Sequence, residues 1–174
     1  MEGNGISPGE RFADVDGFDA RRGEGPHLWR TLGYRRVSWR PGGTVVEWDA
    51  TEAYAFPSAG GAVVQGGLVT ALLDASMGGA TWTVLDRDQA FLTADIRVEF
   101  LRPSRVGTLR ATGQVVRRTR RVVFCSAELH DAAGVLLAAG RCTQVVLPAD
   151  GSAGRYASPA AGDGADGPPM DARG

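Results

Sequence analysis

A single carboxylate, Asp74, sits inside "VVQGGLVTALLDASMGGATW" (residues 63–82), and nothing else between Gly60 and Asp86 is charged. Its neighbours at helical contact spacing are Thr70, Ala71, Met77 and Gly78, none of them basic. An acid in so apolar a setting is paired with a distant cation, protonated, or turned toward a polar cavity. A remote Arg accounts for it as well as a cavity does. If the cavity is correct, desolvation raises the carboxyl pKa toward the range of a general base. Gly66 and Gly67 stand where the helix begins. The first turn of a helix leaves N–H groups unpaired at the positive end of its dipole, and glycine there removes the shielding Cβ. A carbonyl oxygen could approach such N–H groups as in an oxyanion hole. A plain loop-to-helix turn explains the same two glycines.

Other catalytic chemistry is poorly supplied. All 19 basic residues are Arg, which excludes a Schiff-base lysine, a P-loop lysine and a Ser-Lys dyad. There is no G-x-S-x-G element, and His27 and His130 read as surface residues. Cys125 and Cys142 form no disulfide framework and suit no metal site; they read as buried free thiols, and no metal is expected. Between Arg97 and Arg121 lie eight Arg and one acid, Glu99, and "RRTRR" (117–121) gathers four of them at a strand connection. A solvated turn tip carries such charge. A polyanion site does too, most simply for the phosphates of a nucleotide-bearing substrate gripped by bidentate Arg. A net charge of −1 and the lack of interleaved aromatics argue against nucleic acid.

These residues need elements to position them. "PHLWRTLG" (26–33) suggests a short helix, and "YRRVSWR" and "TVVEWDA" form a hairpin around Pro41-Gly42-Gly43. The long helix spans roughly 66–85. Four strand-like segments follow: 93–101, 108–118, 121–130 and 135–147. In the first, Ile96, Val98 and Phe100 alternate with Asp95, Arg97 and Glu99. Short connections predict that these four pair in order as an antiparallel meander. The helix is apolar around nearly its whole circumference, through Leu68, Val69, Leu72, Leu73, Met77, Trp82 and Leu85, so it must be enclosed. Gly78 and Gly79 each cost about 1 kcal/mol in its interior, which implies a close approach by sheet, partner helix or ligand. The expectation is an α+β fold, one sheet of about six strands wrapping one central helix. Its open edge and uncovered face predict a dimer or a dimer of dimers.

The domain is expected over 26–147, with a flexible segment at 1–25 and a Gly/Ala/Pro-rich disordered tail at 148–174. The opening "MEGNGISPGERF" has no apolar leader core, and Leu68–Leu85 is too interrupted to span a membrane. A soluble, cytoplasmic protein without membrane partners is expected.

Three elements in order resemble the hotdog-fold acyl-CoA thioesterases of the phenylacetate-pathway (PaaI-like) group. These are "VVQGGLVTALLD", "TADIRVEFLRP" (93–103) and "GQVVRRTRRVVFCSAELHDAAGVLLAAGR", and the similarity covers roughly residues 28–147. The resemblance implies a homodimer or homotetramer with its active site between protomers. CoA would enter as part of the substrate, with no further cofactor. By the same resemblance, Asp74 of one chain acts as general base on water, or as nucleophile. The N–H of Gly66 from the other chain polarises the thioester carbonyl, beside Gly67. Thr93 orients the acid or the water, and Arg118, Arg120 and Arg121 meet the CoA phosphates. Three positions depart from the family pattern. Gln65 replaces the usual His, Ala59 stands where Asn or Gln is common, and Thr119 replaces a turn Gly. An amide at 65 can still donate to a carbonyl or hold a water. The loss at Ala59 favours the alternative, an acyl-CoA-binding or regulatory hotdog protein that does not hydrolyse.

Overall fold

The computed structural model describes residues 27–149, so the expected flexible segment 1–25 and all but Pro148 and Ala149 of the expected tail lie outside it, as does the side chain of His27. Helix α1 (His27–Leu32) leads into strands β1 (Tyr34–Arg40) and β2 (Gly43–Ala50). It stops at Gly33, whose φ of 80° lets its N–H close back on the Trp29 carbonyl at 2.8 Å. A 3₁₀ turn (Glu52–Tyr54) and two short strands, β3 (Ala55–Phe56) and β4 (Val63–Val64), precede helix α2 (Gly66–Trp82). Then come β5 (Gln89–Phe100), β6 (Gly107–Arg118), β7 (Val122–Asp131) and β8 (Leu136–Pro148). Helix α2 ends three residues short of the expected 85, because the Thr83 hydroxyl turns back onto the Ala80 carbonyl at 2.6 Å.

Six strands form one sheet in the order β1-β2-β6-β7-β8-β5, and β3 pairs only with β4. Every neighbouring pair is antiparallel. The expected hairpin is present, and β6-β7-β8 do follow one another as a meander. The expected pairing of β5 with β6 is not formed: β5 lies beyond β8 and β6 lies against β2. The reason is the length of the connection. The non-strand stretch over residues 101–106 is long enough to cross the end of the sheet. On its way, the N–H groups of Leu101 and Arg102 bond to the Leu137 carbonyl, and the Ser104 carbonyl accepts from Val64 N at 2.8 Å.

Helix α2 lies across the inner face of the sheet, where Val69, Leu72, Leu73 and Met77 meet Val46, Trp48, Leu109, Ala111, Val123 and Leu129. Of its residues only Gly67 is exposed, which is the enclosure that the all-round apolar pattern predicts. The sheet comes closest at its glycines. A Cβ on Gly113 of β6 would lie 2.3 Å from the Ser76 carbonyl. On the helix, a Cβ on Gly79 would meet Thr44 Oγ1 at 2.7 Å, and one on Gly78 would meet the Phe91 ring at 3.1 Å. Of the three possible neighbours of Gly78 and Gly79, the sheet fills the space.

Candidate active site

Asp74 projects from the middle of α2 toward β5 and is half-buried. Thr93 Oγ1 donates to its Oδ1 at 3.0 Å. Among the described residues it forms no ion pair, so none of the described arginines is the distant partner. Burial pushes its pKa above the usual carboxylate range, and the Thr93 hydrogen bond pulls it part of the way back. A carboxylate poised in this way is suited to taking a proton from water.

Thr93 reaches α2 through an irregularity. Strand β5 pairs with β8 through Thr93↔Gln144 and then Asp95↔Thr143, leaving Ala94 as a bulge. Before the bulge the odd-numbered Phe91 and Thr93 face the helix; after it the even-numbered Ile96 and Val98 do. Simple alternation would have set Thr93 with Asp95 and Arg97 on the outer face.

Gln65 is the N-cap of α2. Its side-chain Oε1 accepts from Leu68 N at 3.0 Å, folded so closely over Gly67 that a Cβ there would lie 2.7 Å from it. Its own carbonyl accepts from Leu68 N and Val69 N. The amide oxygen is thus engaged by the helix, and Nε2 is the group of this side chain that can donate to a substrate oxygen. The N–H groups of Gly66 and Gly67 have no acceptor among the described residues. The Phe100 ring rests over Gly66, 3.3 Å from where a Cβ would be.

Gly66 and Asp74 are eight residues apart on one helix, which separates them by roughly 12 Å along its axis. Donor and base must both reach within about 3 Å of one reacting group. Within one chain they do not come together.

The arginines divide. Arg118 is held by the loop that follows α2, donating to Val84 O, to Asp86 Oδ2 at 3.1 Å and to Gln89 Oε1 at 2.9 Å. Arg120 and Arg121 instead line a shallow cleft with Asp88, Gln89 and the end of β8. Thr119 closes the turn between them, its Oγ1 accepting from Val122 N at 3.0 Å. Ala59 offers only its backbone: Arg105 clips this loop by donating to Gly61 O at 2.6 Å and to Ala59 O at 3.4 Å.

Sequence reasoning missed Gln144 and Thr81. Both are fully buried, Thr81 Oγ1 donates to Gln144 Oε1, and Gln144 Nε2 lies 3.5 Å from Thr93 Oγ1. The signal was present: Gln144 is in phase with the buried Ala138, Gly140 and Cys142, one amide on an otherwise apolar face. Among the described residues no three His, Cys, Asp or Glu gather as a metal site. No helix of these residues is long and apolar enough to cross a membrane.

One helix within a six-stranded antiparallel sheet of this order recurs in solved structures. A phenylacetic acid degradation-related protein from Ralstonia eutropha JMP134 is 29% identical, with a TM-score of 0.65 over 74% of this chain and 97% of its own. The chain has the hotdog fold. Residues 61–138 of this hotdog chain, from the loop before α2 to the start of β8, match the model of the Thioesterase superfamily. A thioesterase family protein from Silicibacter pomeroyi shares the fold at 23% identity, with a TM-score of 0.66 over 77% of this chain and 96% of its own. So does the E. coli PaaI protein from the phenylacetic acid degradation operon, at 22% identity and a TM-score of 0.63 over 70% and 85%. At those identities the likeness is one of fold. No curated protein matches the chain in sequence.

Proposed function

We propose that the chain is a thioester hydrolase acting on acyl-CoA, or on a similarly carried acyl or aryl-acyl group, at a site completed by a second copy. The observation that carries this reading is the half-buried, Thr93-bonded Asp74 without a basic partner among the described residues. Asp74 takes a proton from water, or attacks the carbonyl itself. The Gly66 N–H of the partner copy stabilises the developing oxyanion, with Gly67 leaving the approach open. The separation of roughly 12 Å supports the need for two copies, as does the edge of β5 beside the acid, which has no second strand neighbour among the described residues. Arg120 and Arg121 fit the CoA phosphates better than Arg118, which the loop after α2 already engages. The match over 61–138 supports the reaction class, and the phenylacetic acid degradation-related neighbour from Ralstonia eutropha supports a PaaI-like assignment.

The test is release of free thiol from a panel of acyl-CoA esters by the parent and by Asp74→Asn. Loss of a general base lowers turnover by about 10²–10⁴-fold. Equal rates for the two proteins remove Asp74 from the mechanism. A second reading, binding without hydrolysis, draws on the capping role of Gln65 and on Ala59. It predicts CoA-ester binding with no thiol released by the parent.

A further inference from the structure

The buried amide of Gln144 has no part in the mechanism above. A fully buried amide amid apolar side chains is costly unless both its ends are bonded, and Leu or Met would fill the same space. Its two ends meet Thr81 and Thr93.

We infer that Gln144 is a positioning residue that, oriented by Thr81, fixes the Thr93 hydroxyl so that its proton points at Asp74. This rests on the reading of Asp74 as the base and deepens it.

The polarity follows from donor and acceptor rules alone. An ionised carboxylate only accepts, so Thr93, 3.0 Å from Asp74, donates its single proton there. Whatever faces the Thr93 oxygen from Gln144 must then be a donor, which is Nε2, at 3.5 Å. The amide therefore turns Oε1 toward Thr81, and the Thr81 hydroxyl donates to it. That leaves the Thr81 oxygen to accept from the Cys125 thiol, 3.2 Å away. Four groups on α2, β5, β7 and β8 thus form one run of hydrogen bonds with every proton directed toward Asp74. Without Gln144 the Thr93 hydroxyl is free to rotate away, and the carboxylate loses the one donor it has among the described residues. The other titratable groups that face this region are Cys125 on β7 and Cys142 on β8, and Asp95 acts on Cys142 electrostatically from the outer face of β5. On β2 and β6, Glu47 and Arg110 are bound to one another.

The experiment titrates the Asp74 carboxyl by carbon NMR in the full chain, assigned by difference against Asp74→Asn, in parent, Thr93→Val, Gln144→Met and their double variant. Thr93→Val and Gln144→Met are each expected to move the titration upward, and the double variant no further than Thr93→Val alone. Thr93→Ser retains the parental value. Turnover of Gln144→Met is expected to fall about two- to tenfold at unchanged KM, the loss of one hydrogen bond's orientation. If Gln144→Met does not fold, Thr81→Val, which removes the hydroxyl that orients the amide, is expected to move the titration the same way. A parental titration in the folded Gln144→Met or Thr81→Val, or shifts that add in the double variant, overturn the inference. Should the parent hydrolyse no thioester, the proposed reaction fails while the titration still decides the role of Gln144.

Discussion

At Asp74, what helps chemistry works against stability. The carboxyl titrates above its ordinary range because burial disfavours its charge more than Thr93 restores it. The folded chain therefore binds this proton more tightly than the unfolded chain does. The resulting stability is fully present below the unfolded-state pKa and is lost as pH rises through the raised folded value. Asp74→Asn keeps the acceptor for Thr93 and removes the buried charge. Its Tm is expected to exceed that of the parent at pH 7, and the gap to close in acid below the ordinary carboxylate range. Thermal unfolding at the two pH values checks this, and a Tm at pH 7 equal to or below the parent's contradicts it. The same variant is expected to lose turnover under the proposed mechanism, so a gain in Tm beside a loss of rate would separate a functional acid from a structural one.

At the scale of elements, the helix and its acid were legible because their signals are local. An all-round apolar pattern demands enclosure, and a lone carboxylate within it stands out against that pattern. The close approach at Gly78 and Gly79 was legible as a cost, although not as the work of Thr44 and Phe91. What was hidden depends on register and on long-range pairing. The position of β5 beyond β8 needs the path of residues 101–106 across the sheet end, which no periodicity encodes. Thr93 is aimed at the helix by the bulge at Ala94, and strict alternation assigns it to the wrong face. Gln144 was visible as a polar residue in phase with apolar ones, but its partners, Thr81 and Thr93, come from two other elements. A glycine overlooked in the sequence also matters here. Gly113 lets β6 touch the backbone of α2, and a Cβ there would sit 2.3 Å from the Ser76 carbonyl, which cannot rotate aside. Gly113→Ala is therefore expected to destabilise by about 1–3 kcal/mol or more, as overpacking does. Urea unfolding measures it, and a midpoint within error of the parent's removes the close-contact argument.

At the scale of the whole molecule, the exposed apolar side chains and the free backbone of the edge strand coincide. Among the described residues strand β5 pairs only with β8, and it carries Leu92 and Phe100 at 59% and 56% exposure. Long free edges pair with other chains unless something blocks them. Here the edge runs past Thr93 and ends over Gly66, so a second copy docked along it would adjoin both halves of the proposed site. Leu92→Arg is expected to weaken self-association and to lower thioester hydrolysis by the same variant, while Asp74 and Thr93 stay in place. Light scattering on a sizing column and the thiol assay, run on one preparation, check the pair. A variant that is monomeric yet as active as the parent excludes a shared site.

Among the described residues β5 is gripped from one side only, so under the proposed two-copy site the strand that aims the hydroxyl at the acid is also the one that would take its second neighbour from solution. Catalytic competence would then be a function of concentration. Dilution is expected to lower the rate per molecule while circular dichroism stays constant, as it would if the smallest working unit were larger than the smallest folded one.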